Sequence, residues 1–344
     1  MRINDRDYRS VWWEHGRLRL IDQNKLPFEF SVREFTDHFQ VADAIRDMTV
    51  RGAPAIGAAG AYGLALAAQH APDDKFRSAL RQARDLLIGT RPTAVDLLNG
   101  VNYVYEQTLK FIPHIAHARQ VAVSAAEEFA NRSAEDCRQL GIAGNEIIPD
   151  NARILTHCNA GALATVDWGT ALAAIRVAHR KGKNIFVYVS ETRPRFQGAR
   201  LTAWELEQEG IPHAIIADSA TGYYFWKKEI DVVITGADRV CLNGDIANKI
   251  GTYDKAVLAR AHGIPFYISA PLSTFDFACS RGTDIPIEFR ADEELKEVNG
   301  FVTANPNSAV LNPSFDITPA ELITGIITRH GVFPPDEAAQ MVQD

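Results

Sequence analysis

Cys158 stands just beyond a short apolar run, Arg153-Ile154-Leu155-Thr156, and inside a small polar turn, His157-Cys158-Asn159-Ala160-Gly161. The run reads as a buried strand, and the residues after the turn lead into a helix expected near Ala164. Ligands of open α/β sheets collect beyond the carboxyl ends of strands. A helix N-terminus at that point would also favour the thiolate form of a cysteine. The competing reading is structural, since free cysteine is among the most buried residue types and packs as a small hydrophobe.

Two further clusters follow strand-like runs. Glu191-Thr192-Arg193-Pro194-Arg195-Phe196-Gln197-Gly198-Ala199-Arg200 is dense in arginine for a strand-to-helix connection and carries Gln197 before Gly198. A surface loop in which Glu191 pairs with an arginine accounts for it equally well. Asp231-Val232-Val233-Ile234-Thr235-Gly236-Ala237-Asp238 is a buried strand closed by glycine and then a carboxylate. Asp238 would serve as an acid or base if burial raised its pKa, whereas a turn or capping aspartate is the common structural use. Asn248 and Lys249 come next, in Asn243-Gly244-Asp245-Ile246-Ala247-Asn248-Lys249, where a lysine near a helix start could hold a phosphate or simply be solvated.

Two arginines precede helices in the first half. Arg51-Gly52-Ala53-Pro54-Ala55-Ile56-Gly57 has small residues that let backbone N–H groups approach an anion, although close helix packing explains them too. It lacks the Lys-Ser/Thr pair of a P-loop and is not GxGxxG. Thr90-Arg91-Pro92-Thr93-Ala94 repeats the theme, and two such arginines suit a grip on phosphate or carboxylate. The clusters at Cys158, Gln197 and Asp238 belong to successive βα units and should share one crevice. That points to an enzyme acting on a small phosphorylated molecule. Nothing in the residues signals a nicotinamide cofactor or a metal.

The elements that must position these groups divide the chain in two. With 344 residues, two domains are expected, and the composition changes in a Gly/Asn/Pro/Asp-rich stretch from Gly141 to Asn151. The expected division is 1–145, a helical domain with a small β meander over Val11 to Phe30, and 146–344. In the second part, strands at 153–158, 184–190, 213–217, 231–236 and 265–269 alternate with helices near 164–182, 199–210, 219–228 and 249–263. That rhythm is an α/β fold with a parallel sheet and right-handed crossovers. Thr318-Pro319-Ala320-Glu321 carries the signature of a helix start, so a last helix is expected from there to His330.

A net charge of −7 argues against nucleic acid or an anionic membrane as the main partner. The uncharged run Ala53 to Ala68 is short and weakly apolar for a membrane span. Met1 to Asp7 lacks the apolar core of a signal peptide. Four cysteines without CxxC spacing suggest reduced thiols in a cytoplasmic protein.

Taken together, these stretches resemble the methylthioribose-1-phosphate isomerases. The resemblance runs over nearly the whole length, through Arg51–Gly57, Arg91–Ala94, Thr156–Asn159, Glu191–Pro194, Gln197–Leu206, Gly236–Asp238, Asn248–Tyr253 and Asp316–Thr324. It implies Cys158 and Asp238 as the catalytic pair. Substrate contacts are implied for Arg51, Gly52, Ala53, Arg91, Gln197, Asn248 and Lys249, with no cofactor and no metal. The implied fold is a helical N-terminal domain and a Rossmann-like C-terminal domain, as a homodimer acting on a phosphorylated pentose. Two departures stand out: Cys241-Leu242 where smaller residues are usual, and Phe289 where a second acidic residue is usual. The rivals are an isomerase of 5-deoxyribose 1-phosphate or ribose 1,5-bisphosphate, and a non-catalytic subunit like those of the translation initiation exchange factor. The latter reading is weakened by the presence of both Cys158 and Asp238.

Overall fold

The computed structural model describes residues 1–91 and 94–342. They form two compact units, one of Met1–Arg138 with Gly161–Gly169, the other of Gln139–Ala160 with Thr170–Asp344.

After a short antiparallel pairing of Arg2–Ile3 with Arg6–Asp7, the first unit forms an antiparallel meander, β1 (Val11–Glu14), β2 (Arg17–Ile21) and β3 (Val32–Phe35), as the alternation of Leu18 and Leu20 with arginines requires. Helices α1 (His38–Arg46), α2 (Ala53–His70), α3 (Phe76–Ile88), α4 (Val95–Leu109) and α5 (Ile115–Gly144) follow. Asp37 starts α1 by accepting the N–H groups of Phe39 and Gln40. The Ala/Gly composition of α2 has a packing cause. A Cβ on Gly57 would stand 2.7 Å from the Asp96 carbonyl oxygen, and one on Gly100 would stand 2.4 Å from the Gly57 carbonyl oxygen. Helices α2 and α4 therefore meet nearly backbone to backbone, around a core that includes Ala61, Leu64, Val101 and Val104.

The second unit is built on a seven-stranded sheet. Its strands are β4 (Arg153–Thr156), β5 (Phe186–Ser190), β6 (His213–Ile216), β7 (Val232–Gly236), β10 (Phe266–Ser269), β12 (Gly325–Thr328) and β13 (Gly331–Phe333). Their spatial order is β13-β12-β10-β7-β4-β5-β6, parallel except for the last pairing, β12 with β13. This is the dinucleotide-fold order, in which the direction of strand addition reverses between β4 and β7. Crossovers run through α6 (Ala171–Arg180), α7 (Ala203–Gln208), α8 (Thr221–Trp226) and α9 (Thr252–His262). A smaller antiparallel sheet joins β8 (Arg239–Val240), β9 (Ile246–Lys249) and β11 (Phe315–Thr318). The chain ends in α10 (Pro335–Met341). The sheet is apolar on both faces, with Leu155, Val233, Phe266, Ile268 and Ile326 buried on one and Ile154, Val187, Val232, Ile234 and Ile327 on the other.

Two expected elements differ. Residues 318–330 are not a helix: one 3-10 turn, Ala320–Leu322, separates β11 from β12. The start signature is satisfied locally, but Gly325–Thr328 is wholly buried and pairs in register with β10, so sheet burial prevails. The helix expected near Ala164 begins only at Ala171. Residues 162–164 make a 3-10 turn, and Trp168 and Gly169 both take positive φ, which breaks any continuous helix there. Among the described residues no helix is long and apolar enough to cross a membrane.

Candidate active site

The end of β4 delivers Cys158, half-buried and in the left-handed region at φ +61°. A non-glycine residue holds that conformation only where its surroundings fix it. Here the Cys158 N–H donates to Thr192 Oγ1 at 2.9 Å, and Thr202 Oγ1 donates to the Cys158 carbonyl at 2.7 Å. The next residue is also anchored, because Asn159 Nδ2 donates to Glu205 Oε1 at 2.8 Å. Glu205 is neutralised by buried Arg176 at 2.8 Å. The helix N-terminus expected to act on this thiol is absent, since α6 starts well downstream at Ala171.

The turn after β5 folds back sharply. A Cβ on Gly198 would lie 1.8 Å from the Ser190 carbonyl oxygen, so only glycine fits there. Gln197 is 8% exposed, and its Oε1 is buried with no hydrogen-bond partner among the described residues. Two of the loop's arginines have structural uses. Arg195 pairs with Glu294 at 2.9 Å, and Arg193 donates to the carbonyls of Pro194 and Leu295, both at 3.0 Å.

Asp238 follows β7, and its N–H donates to the Ala247 carbonyl at 2.9 Å, which ties it to β9. Asp238 itself is exposed. On β9, Asn248 is buried and donates to Thr252 Oγ1 at 2.9 Å. Lys249 Nζ donates to the Ser314 carbonyl at 2.9 Å and lies 4.5 Å from the centre of the Phe315 ring. Because β4 pairs with β7 through Ile154–Val232 and Leu155–Val233, the ends bearing Cys158 and Asp238 are neighbours.

A buried polar cluster lies beside the Cys158 turn. His157 is 1% exposed, and its Nε2 is 2.9 Å from the Ile250 carbonyl, so the ring proton belongs on that nitrogen. Burial, with the Lys255 charge second, pushes this imidazole down to about 3 against the pull of Asp218. Its 3.9 Å approach to Asp218 is therefore that of a neutral ring. Burial also lowers the Lys255 ammonium, opposed chiefly by Asp218 at 3.9 Å. Burial acts to raise Asp218, but hydrogen bonds from the Ser190 hydroxyl and the Arg193 N–H outweigh it and hold the carboxyl below its ordinary value. Asp218 and Lys255 do not figure among the residues expected from sequence. The available signal was that Asp218 also lies beyond a strand end, that of β6.

In the first unit, Gly52 precedes α2 at φ +94°, and a Cβ there would stand 2.2 Å from the Ala164 carbonyl oxygen. Ala53 is the first residue of α2, with Pro54 behind it. Arg51 and Arg91 are half-buried, while Pro92 and Thr93 of the expected motif lie outside the described residues.

The chain as a whole is similar to known proteins. The model of the initiation factor 2 subunit family matches residues 49–335. A protein of Roseiflexus castenholzii named methylthioribose-1-phosphate isomerase is 50% identical over 341 residues, 96% of each chain. One from Heliobacterium modesticaldum with the same name is 50% identical over 332 residues, covering 95% of this chain and 96% of that one. Among solved structures, 5-methylthioribose 1-phosphate isomerase from Pyrococcus horikoshii superposes with a TM-score of 0.93 at 42% identity, covering 98% of this chain and 96% of that one. An Archaeoglobus fulgidus chain named as translation initiation factor eIF-2B, subunit delta, gives 0.89 at 44% identity, over 98% and 100%. With its fold and nearly its whole length matched, the chain belongs to the initiation factor 2 subunit family.

Proposed function

We propose that this chain is an aldose–ketose isomerase that converts S-methyl-5-thio-α-D-ribose 1-phosphate to S-methyl-5-thio-D-ribulose 1-phosphate, a step of methionine salvage. One observation carries the reading: a thiol-bearing turn and a carboxyl-bearing turn follow adjacent strands where the strand order reverses. They do so in a chain half identical, end to end, to proteins bearing that enzyme's name.

The reaction dictates what the residues must do. Phosphate blocks the anomeric oxygen, so the ring cannot open as a free hemiacetal. Asp238 donates a proton to the ring oxygen as its bond to C1 breaks. Hydrogen then moves from C2 to C1, and Cys158 assists that transfer. The C2 hydroxyl gives up its proton as the ketone forms, replacing the one Asp238 gave to the ring oxygen, and C1 gains the hydrogen that C2 loses, so no external oxidant or reductant enters. Asp238 is exposed, and a sugar seated over it would supply the desolvation that favours its acid form. The unpartnered Gln197 Oε1 suits a sugar hydroxyl. Arg51, Gly52, Ala53, Arg91, Asn248 and Lys249 are the groups assigned to substrate, with the arginines and lysine suited to phosphate. The resemblance also supports a homodimer working in the cytoplasm.

Likeness to the Archaeoglobus fulgidus chain, a translation-factor subunit by name, favours one rival, a non-catalytic subunit of that kind. Turnover of methylthioribose 1-phosphate beside 5-deoxyribose 1-phosphate and ribose 1,5-bisphosphate separates the readings. Preference in kcat/KM for the methylthio sugar is expected. Preference for another sugar moves the substrate, and folded protein inactive on all three revives the rival.

A further inference from the structure

Cys158 and Thr192 both hold positive φ, +61° and +67°, and they are hydrogen-bonded to each other. A β-branched residue in that region is strained and persists only when overdetermined. Thr192 is fully buried, and its Oγ1 accepts the Cys158 N–H while donating to the Ser190 carbonyl at 2.9 Å. What fixes Thr192 is Asp218. Its carboxylate accepts the Thr192 N–H at 2.9 Å, the Arg193 N–H at 2.7 Å and the Ser190 hydroxyl. Three donors from one turn converge on one carboxylate.

That carboxylate is half-buried and carries a counter-charge. Lys255, 2% exposed, supplies it at 3.9 Å, and its Nζ also donates to the Gly251 carbonyl at 3.3 Å. His157 reaches the same turn through the Ile250 carbonyl. The turn after β4, the turn after β5 and the turn before α9 are thus joined through half-buried Asp218 and buried His157, Thr192 and Lys255.

We propose that Asp218, with Lys255 as its counter-charge, is a positioning residue for Cys158 and acts through Thr192 to hold the thiol's backbone in its left-handed conformation. The proposal rests on the reading of Cys158 as a catalytic residue. It assigns no substrate contact to Asp218, Lys255 or Thr192.

The experiment compares Thr192→Val, Thr192→Ser, Asp218→Asn and Cys158→Ser, each checked for folding by circular dichroism, in turnover of methylthioribose 1-phosphate. Valine matches threonine in shape but cannot accept the Cys158 N–H; serine can. We expect Thr192→Val and Asp218→Asn to lower kcat by roughly a hundredfold, the scale of a small misplacement, with KM within about threefold of wild type. Thr192→Ser should restore most of the loss seen in Thr192→Val. If Cys158→Ser is inactive while folded Thr192→Val and Asp218→Asn turn over like wild type, the positioning role is wrong and the catalytic assignment stands. A loss that falls on KM alone also overturns it, as does failure of serine to rescue. Should Cys158→Ser itself turn over normally, or wild type act on none of the sugars, the reading beneath the proposal fails first. If Asp218→Asn does not fold, the threonine pair decides.

Discussion

The Ala160 Cβ lies 3.1 Å from where a Cβ on Gly236 would stand, and Thr170 Oγ1 lies equally close on the same glycine. The turn that bears Cys158 and the strand that leads to Asp238 therefore approach as closely as they do because residue 236 has no side chain. Gly236→Val should cost about 1–3 kcal/mol of stability through overpacking. Its kcat should fall as the two turns are wedged apart. Urea unfolding beside steady-state kinetics checks both, and a variant unchanged in either would show that the contact yields easily.

Cys158→Ser and Asp238→Asn are each expected to keep the fold and substrate affinity while losing turnover by about 10²–10⁴, the range for a positioned proton-transfer group. Direct binding of methylthioribose 1-phosphate by calorimetry, beside turnover, checks the split. A Cys158→Ser protein with near-normal turnover would remove the thiol from the mechanism.

His157 and Asp316 make opposite contributions to stability against pH. The unfolded chain protonates the imidazole near 6.5, whereas the folded chain does so only near 3, so stability is lost as pH falls through that window. Burial lifts Asp316 from 3.8 to about 6, against the N–H groups of Gly251 and Tyr253, so the folded chain takes that proton first and gains stability as pH falls. Between about pH 7 and about pH 5 the imidazole accounts for a loss of roughly 2 kcal/mol and the carboxyl for a gain of about 1 kcal/mol. His157→Gln should therefore be at least as stable at the lower pH as at the higher, unlike wild type. Urea midpoints at the two values test this, and an unchanged fall in the variant would clear His157.

Arg176 and Glu205 are 2% and 0% exposed and lie 2.8 Å apart. Arg176→Met would strand a buried carboxylate, a loss expected at about 3–5 kcal/mol. Glu205 also receives Asn159, next to Cys158, so kcat should fall with stability. Chemical denaturation with kinetics on the same preparation measures both, and a cost below about 1 kcal/mol, the level of exposed pairs, would contradict the burial argument.

The parallel sheet was legible because its strands are buried on both faces. Ile154-Leu155 and Val232-Val233-Ile234 are continuous apolar runs, and Cys158, Gln197 and Asp238 are candidates because they stand past such runs. Residues 318–330 misled because a helix start is a local signal, while burial of Gly325–Thr328 beside β10 is a long-range fact. The helix near Ala164 failed for a related reason, since the positive φ values of Trp168 and Gly169 have no sequence signature at Trp168. Of the Asp218–Thr192–Lys255 cluster only Asp218 had a signal, its place past a strand end; the pairing itself has none, because its members come from separate βα units and carry no spacing rule.

The nonapeptide Gly161–Gly169 is counted with the first unit although the chain on both sides of it is counted with the second. It is fastened there by the Met1 amino group on Asp167 and by Gln23 Nε2 on the Leu163 carbonyl at 2.7 Å. The first unit is consequently not a contiguous gene segment. A fragment stopped at Arg138 would lack the peptide that satisfies its own amino terminus, and exchanging this unit between relatives would require two grafts, the second of them three residues from Cys158.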